Sequence, residues 1–171
     1  MLKYLCVLAV AMVVSGCGGG YLNHNLDPAP EPKDGPRARF RGVGGNFDVD
    51  QNVCGDRPDL SQGHLTIHRS LGMPHGNSDL STKKYWGEMY IRADQQVKVH
   101  TSLPNYANCG SFTVYFNPEE GRDYEFNVKD SGHGAVSESN TCTLTADDIT
   151  VNPIRPPGKP LRLSKKQFPC N

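Results

Sequence analysis

Apolar and polar residues alternate along much of this chain, and the alternation predicts β-strands. Asp48 lies between Phe47 and Val49, and Asp50 follows them. The same period of two recurs at 64–68, 89–91 and 97–99. This period is typical of strands that bury one face and expose the other. Because no window carries an apolar stripe of helical period over three turns, we predict an all-β chain.

The clearest unit of this pattern lies at 112–128. Apolar residues alternate with polar ones over 112–116 and again over 124–128. The residues between them include Pro118, which suits the second position of a type I turn, and Gly121, which tolerates a positive φ. The spacing predicts a β-hairpin, with the two strands paired to each other.

Further short strands are predicted near 142–145, 149–151 and 161–163, which brings the total to at least seven. That number and spacing predict a small antiparallel β-sandwich. The pattern F-x-P-E-x-G-x-x-Y at 116–124 is similar to patterns in transthyretin-like and other immunoglobulin-like (Ig-like) sandwiches. This resemblance implies one of those two arrangements of the strands.

The N-terminus has the parts of a secretory signal peptide. Lys3 is followed by an unbroken apolar run at 5–14 and then by small residues. Ten apolar residues are too few to cross a bilayer, which takes about 20. We therefore predict a cleaved signal peptide at 1–16, with an uncleaved membrane anchor as the alternative.

The sequence Val14-Ser15-Gly16-Cys17 resembles the lipobox of bacterial lipoproteins. The resemblance implies that the Cys17 thiol receives a diacylglycerol, that cleavage precedes it, and that the new amino group is acylated, for example with palmitate. Residue 18 is glycine and not aspartate. In this respect the chain resembles lipoproteins that are sent to the outer membrane. We expect a lipid anchor in the envelope of a Gram-negative bacterium, with periplasmic and outward-facing orientations both open. An ordinary secreted protein is the alternative.

Composition divides the mature chain into two parts. Residues 17–36 are rich in glycine and proline and predict the lipidated cysteine followed by a flexible tether. Residues 37–171 form the predicted β-domain.

Cysteine usage predicts two disulfides. Cys6 leaves with the signal peptide and Cys17 carries the lipid, so an even number remains in an exported chain. The remaining cysteines are Cys54, Cys109, Cys142 and Cys170. Of the three possible pairings we favour Cys109–Cys142, which brackets the hairpin, and Cys54–Cys170, which fastens the last residues. The spacing fits no zinc site, so we expect no metal.

Charge and motif content favour no catalytic or nucleic-acid role. The chain has 18 basic and 18 acidic side chains, which leaves no net basic charge of the kind that nucleic-acid binding needs. A calcium-like run at 48–59 lacks the required glycine and glutamate. The Asp130, Ser131 and His133 side chains are too close in sequence to predict a catalytic triad. We expect neither enzyme activity nor a cofactor.

A long segment at 69–86 is the predicted binding loop, because loops of this length are often functional. Its candidate contact residues are Met73, His75, Lys83, Lys84, Tyr85 and Trp86. The alternative is that Tyr85 and Trp86 begin a core strand. We expect a non-catalytic binding or scaffolding domain that contacts the membrane through its anchor and an envelope protein through this loop. The alternatives are an inhibitor or accessory subunit of an envelope enzyme or secretion machine and, least favoured, a small hydrolase.

Overall fold

The computed structural model describes residues 27–76, 78–102, 111–130, 142–150 and 159–170. These residues form nine strands and two short 3-10 helices at Pro58–Leu60 and Leu80–Thr82, without an α-helix. The strands are β1 (Arg37–Val43), β2 (Asn46–Asp50), β3 (Gly63–His64), β4 (Trp86–Arg92), β5 (Val97–Ser102), β6 (Ser111–Phe116), β7 (Asp123–Asp130), β8 (Cys142–Asp148) and β9 (Lys159–Pro160). The predicted β character is thus confirmed, and no helix in this part of the chain is long and apolar enough to span a membrane.

The strands form two sheets. The first has five strands in the order β4-β1-β7-β8-β9, and the second has four in the order β3-β2-β5-β6. All pairs are antiparallel except β1 with β7, which run parallel. The two-sheet, sandwich-like arrangement is as predicted, but the five-stranded sheet is mixed rather than purely antiparallel.

The core lies between the two sheets and is built from the apolar half of each alternating strand. Phe40 of β1 contacts Phe47 of β2, with ring centroids 5.9 Å apart. Phe116 of β6 contacts Phe126 of β7 at 5.0 Å. Each of these four rings is at most 2% exposed. Since complete burial of such a side chain contributes about 1.5–3 kcal/mol, these contacts between the sheets hold the two layers together.

The predicted hairpin at 112–128 is wrong in its pairing, although both of its strands exist. β6 pairs with β5 in one sheet, whereas β7 pairs with β1 and β8 in the other. The connection at 117–122 crosses between the sheets, and the Glu119 N–H donates to the Tyr124 hydroxyl at 2.8 Å. Alternation predicts a strand and its buried face, but it does not identify the strand's partner, and six residues are enough to span the roughly 10 Å between packed sheets.

Residues 27–36 are packed against the domain and do not belong to a flexible tether. The Ala29 N–H donates to the His64 carbonyl at 2.8 Å, and the His64 N–H donates to the Asp27 carbonyl at 3.0 Å. Ala29 is only 7% exposed. The proline content predicted a stiff tether, whereas Ala29 of this segment docks beside His64 of β3. The folded domain therefore includes residues from 27 onward, and the predicted boundary at 37 is ten residues late.

The segment 27–36, which we call the strap, also helps to cover the outer edge of β4. Three outward-pointing N–H groups of this edge strand are each bonded to an acceptor from another part of the chain. The pairs are Glu88 to the Arg69 carbonyl at 2.9 Å, Tyr90 to Glu31 Oε1 at 2.9 Å and Arg92 to Gln51 Oε1 at 2.7 Å. Capping of this kind prevents an edge strand from pairing with another chain.

One disulfide is described, and it is the predicted Cys54–Cys170 bridge, with Cα atoms 5.7 Å apart. It fastens the last residues to the loop after β2, where the Gln96 side chain also bonds the Phe168 backbone at 2.9 Å. Cys142 is disulfide-bonded as well. Cys109 lies outside the described residues, so the Cys109–Cys142 pairing stays a prediction. The predicted signal peptide and Cys17 also lie outside them.

Removing the Cys54–Cys170 bridge with the double variant Cys54→Ser/Cys170→Ser is expected to lower the free energy of unfolding by about 4–5 kcal/mol, because the bridge closes a sequence separation of 116 residues. Urea unfolding under oxidising conditions measures this difference. Reduced wild-type protein serves as the control and should lose at least as much. A loss below about 1 kcal/mol would contradict the expected effect of closing so long a loop.

Candidate functional site

The outer face of the five-stranded sheet carries a buried row of charges. Arg41 of β1 lies opposite Glu88 of β4 and Glu125 of β7 in the sheet register. Its guanidinium contacts Glu88 Oε1 at 2.6 Å and Glu125 Oε2 at 3.0 Å. All three residues are about 1% exposed. Charges removed from water to this degree need nearly complete pairing, so this row tightly constrains the fold.

Residues 69–76 and 78, which we call the covering loop, seal the charged row from solvent. Arg41 donates to the carbonyl oxygens of Met73 at 3.1 Å and Pro74 at 2.9 Å. Glu88 Oε2 accepts the N–H groups of Leu71 and, at 3.3 Å, Met73. The loop's own backbone thus supplies partners that the sheet does not. The bonds that pair the buried charges are therefore also the bonds that hold the loop in place.

The far end of the covering loop is fixed by Glu125. The Ser78 hydroxyl donates to Glu125 Oε1 at 2.8 Å and accepts a hydrogen bond from the Asn127 amide. A Cβ atom on Gly76 would lie 2.1 Å from Glu125 Oε2. Only glycine lets the loop backbone approach the carboxylate this closely.

The network lowers the pKa of Glu88 below its ordinary value. Burial alone raises that pKa, because it disfavours the charged carboxylate. The Arg41 guanidinium and the N–H groups of Leu71 and Met73 act in the opposite direction and outweigh it. Glu88 is therefore held as a carboxylate, and its bonds are directed to the groups that position the loop.

Next to the covering loop lies a partly exposed group that we call the aromatic patch. It comprises Ile67, His68, Lys84, Tyr85 and Trp86. The His68 ring stacks on Trp86 at 5.9 Å with an interplanar angle of 23°, and the Lys84 ammonium lies 5.2 Å from the centre of the Tyr85 ring. Ile67 is 47% exposed and is the one large hydrophobic residue classed as exposed in the described part of the chain.

The backbone holds the aromatic patch in a fixed geometry. His68 has φ of 62°, in the left-handed region that residues other than glycine seldom occupy. Its N–H donates to the Trp86 carbonyl at 2.7 Å, and its Nε2 lies 2.8 Å from the Lys84 carbonyl oxygen. Gly87 permits this turn, since a Cβ there would lie 2.1 Å from the Thr66 carbonyl oxygen. The strand predicted at 64–68 therefore ends at His64.

The six predicted contact residues fall into two groups. Lys84, Tyr85 and Trp86 belong to the aromatic patch, and Lys83 directly precedes them. Met73 is 7% exposed and His75 is exposed, both on the covering loop. Trp86 begins β4, as the alternative prediction had it, but it does so on the outer face and not in the core.

Sequence reasoning missed the charged row and half of the patch. Arg41, Glu88 and Glu125 occupy polar positions of alternating strands, which ordinarily indicates exposure to solvent. Ile67 and His68 were predicted to be strand residues. The nearest available signal was the length of the segment at 69–86, since a long segment with its own apolar residue at Met73 is suited to covering a sheet.

Two other features, a histidine–aspartate contact and a cavity, have a structural role. The Nδ1 atom of His64 contacts an Asp48 carboxylate oxygen, and no group of three or more metal-binding side chains occurs among the described residues. A cavity of about 260 Å³ at the opposite end of the sandwich is lined by Asp94, Gln96 and residues 168–169, among others. The Asp94 and Gln96 side chains are bonded to Arg92 and to the Phe168 backbone, so they hold the protein together there.

Comparison of the chain with known protein families, with curated proteins and with solved structures found no match. Its function is therefore argued from the geometry of the charged row and the aromatic patch.

Replacing Arg41 with methionine is expected to lower the free energy of unfolding by about 3–5 kcal/mol, because two carboxylates stay buried without their cation. The covering loop should also become the first site of proteolytic cleavage. Urea unfolding and limited proteolysis with mass mapping measure the two effects.

The matched control for that variant is Arg57→Met. Arg57 pairs with Asp34 and Asp59, whose side chains are 78% and 59% exposed. Because exposed pairs contribute little, this variant should unfold like the wild type and keep its covering loop intact. Equal losses in the two arginine variants would show that the buried row has no special role.

Acid is expected to weaken the protein partly through Glu88. Its pKa in the folded state lies below the ordinary value of 4.5, so its contribution is complete above pH 4.5 and is lost as the pH falls through the folded-state pKa. The free energy of unfolding of the wild type minus that of Glu88→Gln should therefore shrink as the pH falls below about 4.5. Urea titrations between neutral and acid pH test this, and a difference that stays constant would rule it out.

Proposed function

We propose that this protein is a lipid-anchored lipoprotein of the bacterial cell envelope, whose β-sandwich binds or scaffolds a partner and does no chemistry of its own. The observation that carries the proposal is the aromatic patch, where an exposed Ile67 and a half-buried Trp86 lie beside a left-handed His68 that stacks on the Trp86 ring. Residues in such backbone conformations are concentrated at functional sites.

The composition of the patch favours recognition. Tryptophan and tyrosine are enriched at protein interfaces, and the exposed Ile67 side chain adds apolar area beside them. The covering loop and the β4 edge hold this surface in place before any partner arrives. Binding then loses little conformational entropy, which favours affinity.

The anchor is supported by the lipobox at residues 14–17. One acyl chain holds a protein to a bilayer only marginally, whereas the two or three chains on a lipoprotein cysteine make attachment effectively permanent. Gly18 favours the outer membrane as the destination. The proposal therefore includes a cleaved signal peptide, a lipid on Cys17 and an outer-membrane location.

Of the two predicted sandwich types, we propose the transthyretin-like one. In immunoglobulin sandwiches the first two strands belong to the same sheet. Here β1 and β2 lie in opposite sheets, joined by Gly44-Gly45. We also propose that Cys109–Cys142 forms the second disulfide.

A rigid patch also suits the second candidate function, an inhibitor or accessory subunit of an envelope enzyme or secretion machine. Inhibitor complexes form with little movement of the interface backbone, and the two hydrogen bonds of His68 give the patch such rigidity. A stable one-to-one complex with such a machine, lost in the variant Trp86→Ala, would favour this candidate.

The intact mass of the protein extracted from membranes tests the anchor. We expect the mass of residues 17–171 plus acyl chains, rising on reduction by two hydrogens for each of two disulfides. The control variant Cys17→Ser should carry no lipid and leave the membrane fraction. A wild-type mass without acyl chains, or one that retains residues 1–16, would contradict the lipoprotein assignment.

A further inference from the structure

The docked strap shortens the distance that the domain can move from its anchor. Because residues from Asp27 onward belong to the fold, only the ten residues 17–26 link the proposed lipid on Cys17 to it. Ten residues span at most about 35 Å when fully extended. A domain held on so short a link stays close to the bilayer surface.

The link enters the fold near the aromatic patch. The Asp27 carbonyl accepts the His64 N–H at 3.0 Å, so the chain joins the domain beside β3. Ile67 follows His64 by three residues, and neighbouring strands lie about 5 Å apart. The Cα atoms of Asp27 and Ile67 are therefore within about 16 Å of each other, since consecutive Cα atoms are about 3.8 Å apart.

The chemistry of the patch matches a bilayer surface. Tryptophan and tyrosine are enriched where a membrane meets water, and lysine extends its ammonium toward the headgroups. An exposed isoleucine gains by entering the acyl boundary. Lys84 contacts the Tyr85 ring, whereas the charge of Lys83 is partly offset by Asp79. Arg69 at the patch border is paired with Glu31.

We propose that the aromatic patch rests on the anionic lipid surface to which the chain is anchored, and that this contact sets the orientation of the domain. The inference depends on the proposed function, because it needs the anchor at Cys17, and it names the lipid surface, in place of an envelope protein, as the partner of the patch. In this orientation the patch contacts lipid headgroups, and the opposite end of the sandwich points away from the membrane.

Trp86 is the only tryptophan of the chain, so its fluorescence reports on the patch alone. The lipidated full-length mature protein is placed in vesicles of phosphatidylcholine and phosphatidylglycerol, with and without bromine on the acyl chains. We expect a blue-shifted emission, quenching by the brominated lipid and protection from aqueous iodide. In vesicles of phosphatidylcholine alone these effects should weaken.

Two variants make the assignment specific. Lys84→Ala should lower the ratio of lipid-contacting to free domains about fivefold in the anionic vesicles. Lys166→Ala, an exposed lysine beyond the Ser164 bridge to β6, is the matched control and should behave like the wild type. Circular dichroism and urea unfolding confirm that both variants stay folded.

The outcomes separate the two proposals. A protein that is lipidated and floats with the vesicles, but whose Trp86 stays open to iodide and is not quenched by brominated lipid, overturns the membrane contact and leaves the anchor standing. An unlipidated mass overturns both. Protection of Trp86 that appears only after an envelope protein is added assigns the patch to that protein and also overturns the membrane contact.

Discussion

The buried Arg41 guanidinium is the constraint on which much of this structure depends. It lies in a central strand, and the parallel pairing of β1 with β7 places Glu125 on one side of it while the antiparallel pairing with β4 places Glu88 on the other. The desolvation of three charges is offset only when each charge is fully bonded. The sheet supplies the two carboxylates, and the carbonyl oxygens of Met73 and Pro74 complete the set. The covering loop is therefore part of the folded core in energetic terms, although it is irregular in backbone.

The position of the covering loop has consequences for its neighbours. The loop begins at Arg69. The carbonyl oxygen of this residue accepts a hydrogen bond from the Glu88 N–H of β4, and its guanidinium donates to Glu31 of the strap. The preceding residue is His68, whose left-handed turn presents the aromatic patch. A buried charge network thus determines the shape of an exposed surface a few residues away. This is a physical reason for a small domain to retain buried ions, since apolar packing under the loop would not specify one backbone position as strictly.

Sequence reasoning captured the local features and missed the long-range ones. Alternation located most strands, and of the three pairings that cysteine counting left open, the favoured Cys54–Cys170 bridge is confirmed. Alternation does not distinguish a polar residue in water from one beneath a loop, so the burial of Arg41 was not predictable. It also does not choose between a hairpin and a crossing between sheets, which depends on the partner strands of β6 and β7. The strap was mistaken for a linker because its prolines indicate extension, and docking depends on the groove that other strands create.

The strap is also where the fold and the proposed anchor meet. The Glu31 carboxylate accepts hydrogen bonds from Arg69 Nη1 at 2.6 Å and Arg69 Nη2 at 2.9 Å. It also accepts one from the Tyr90 N–H at 2.9 Å. One carboxylate therefore joins the first folded residues, the covering loop and the edge of β4. The strap is therefore bonded directly to Arg69, which follows His68 of the patch, and to the β4 strand that Trp86 begins.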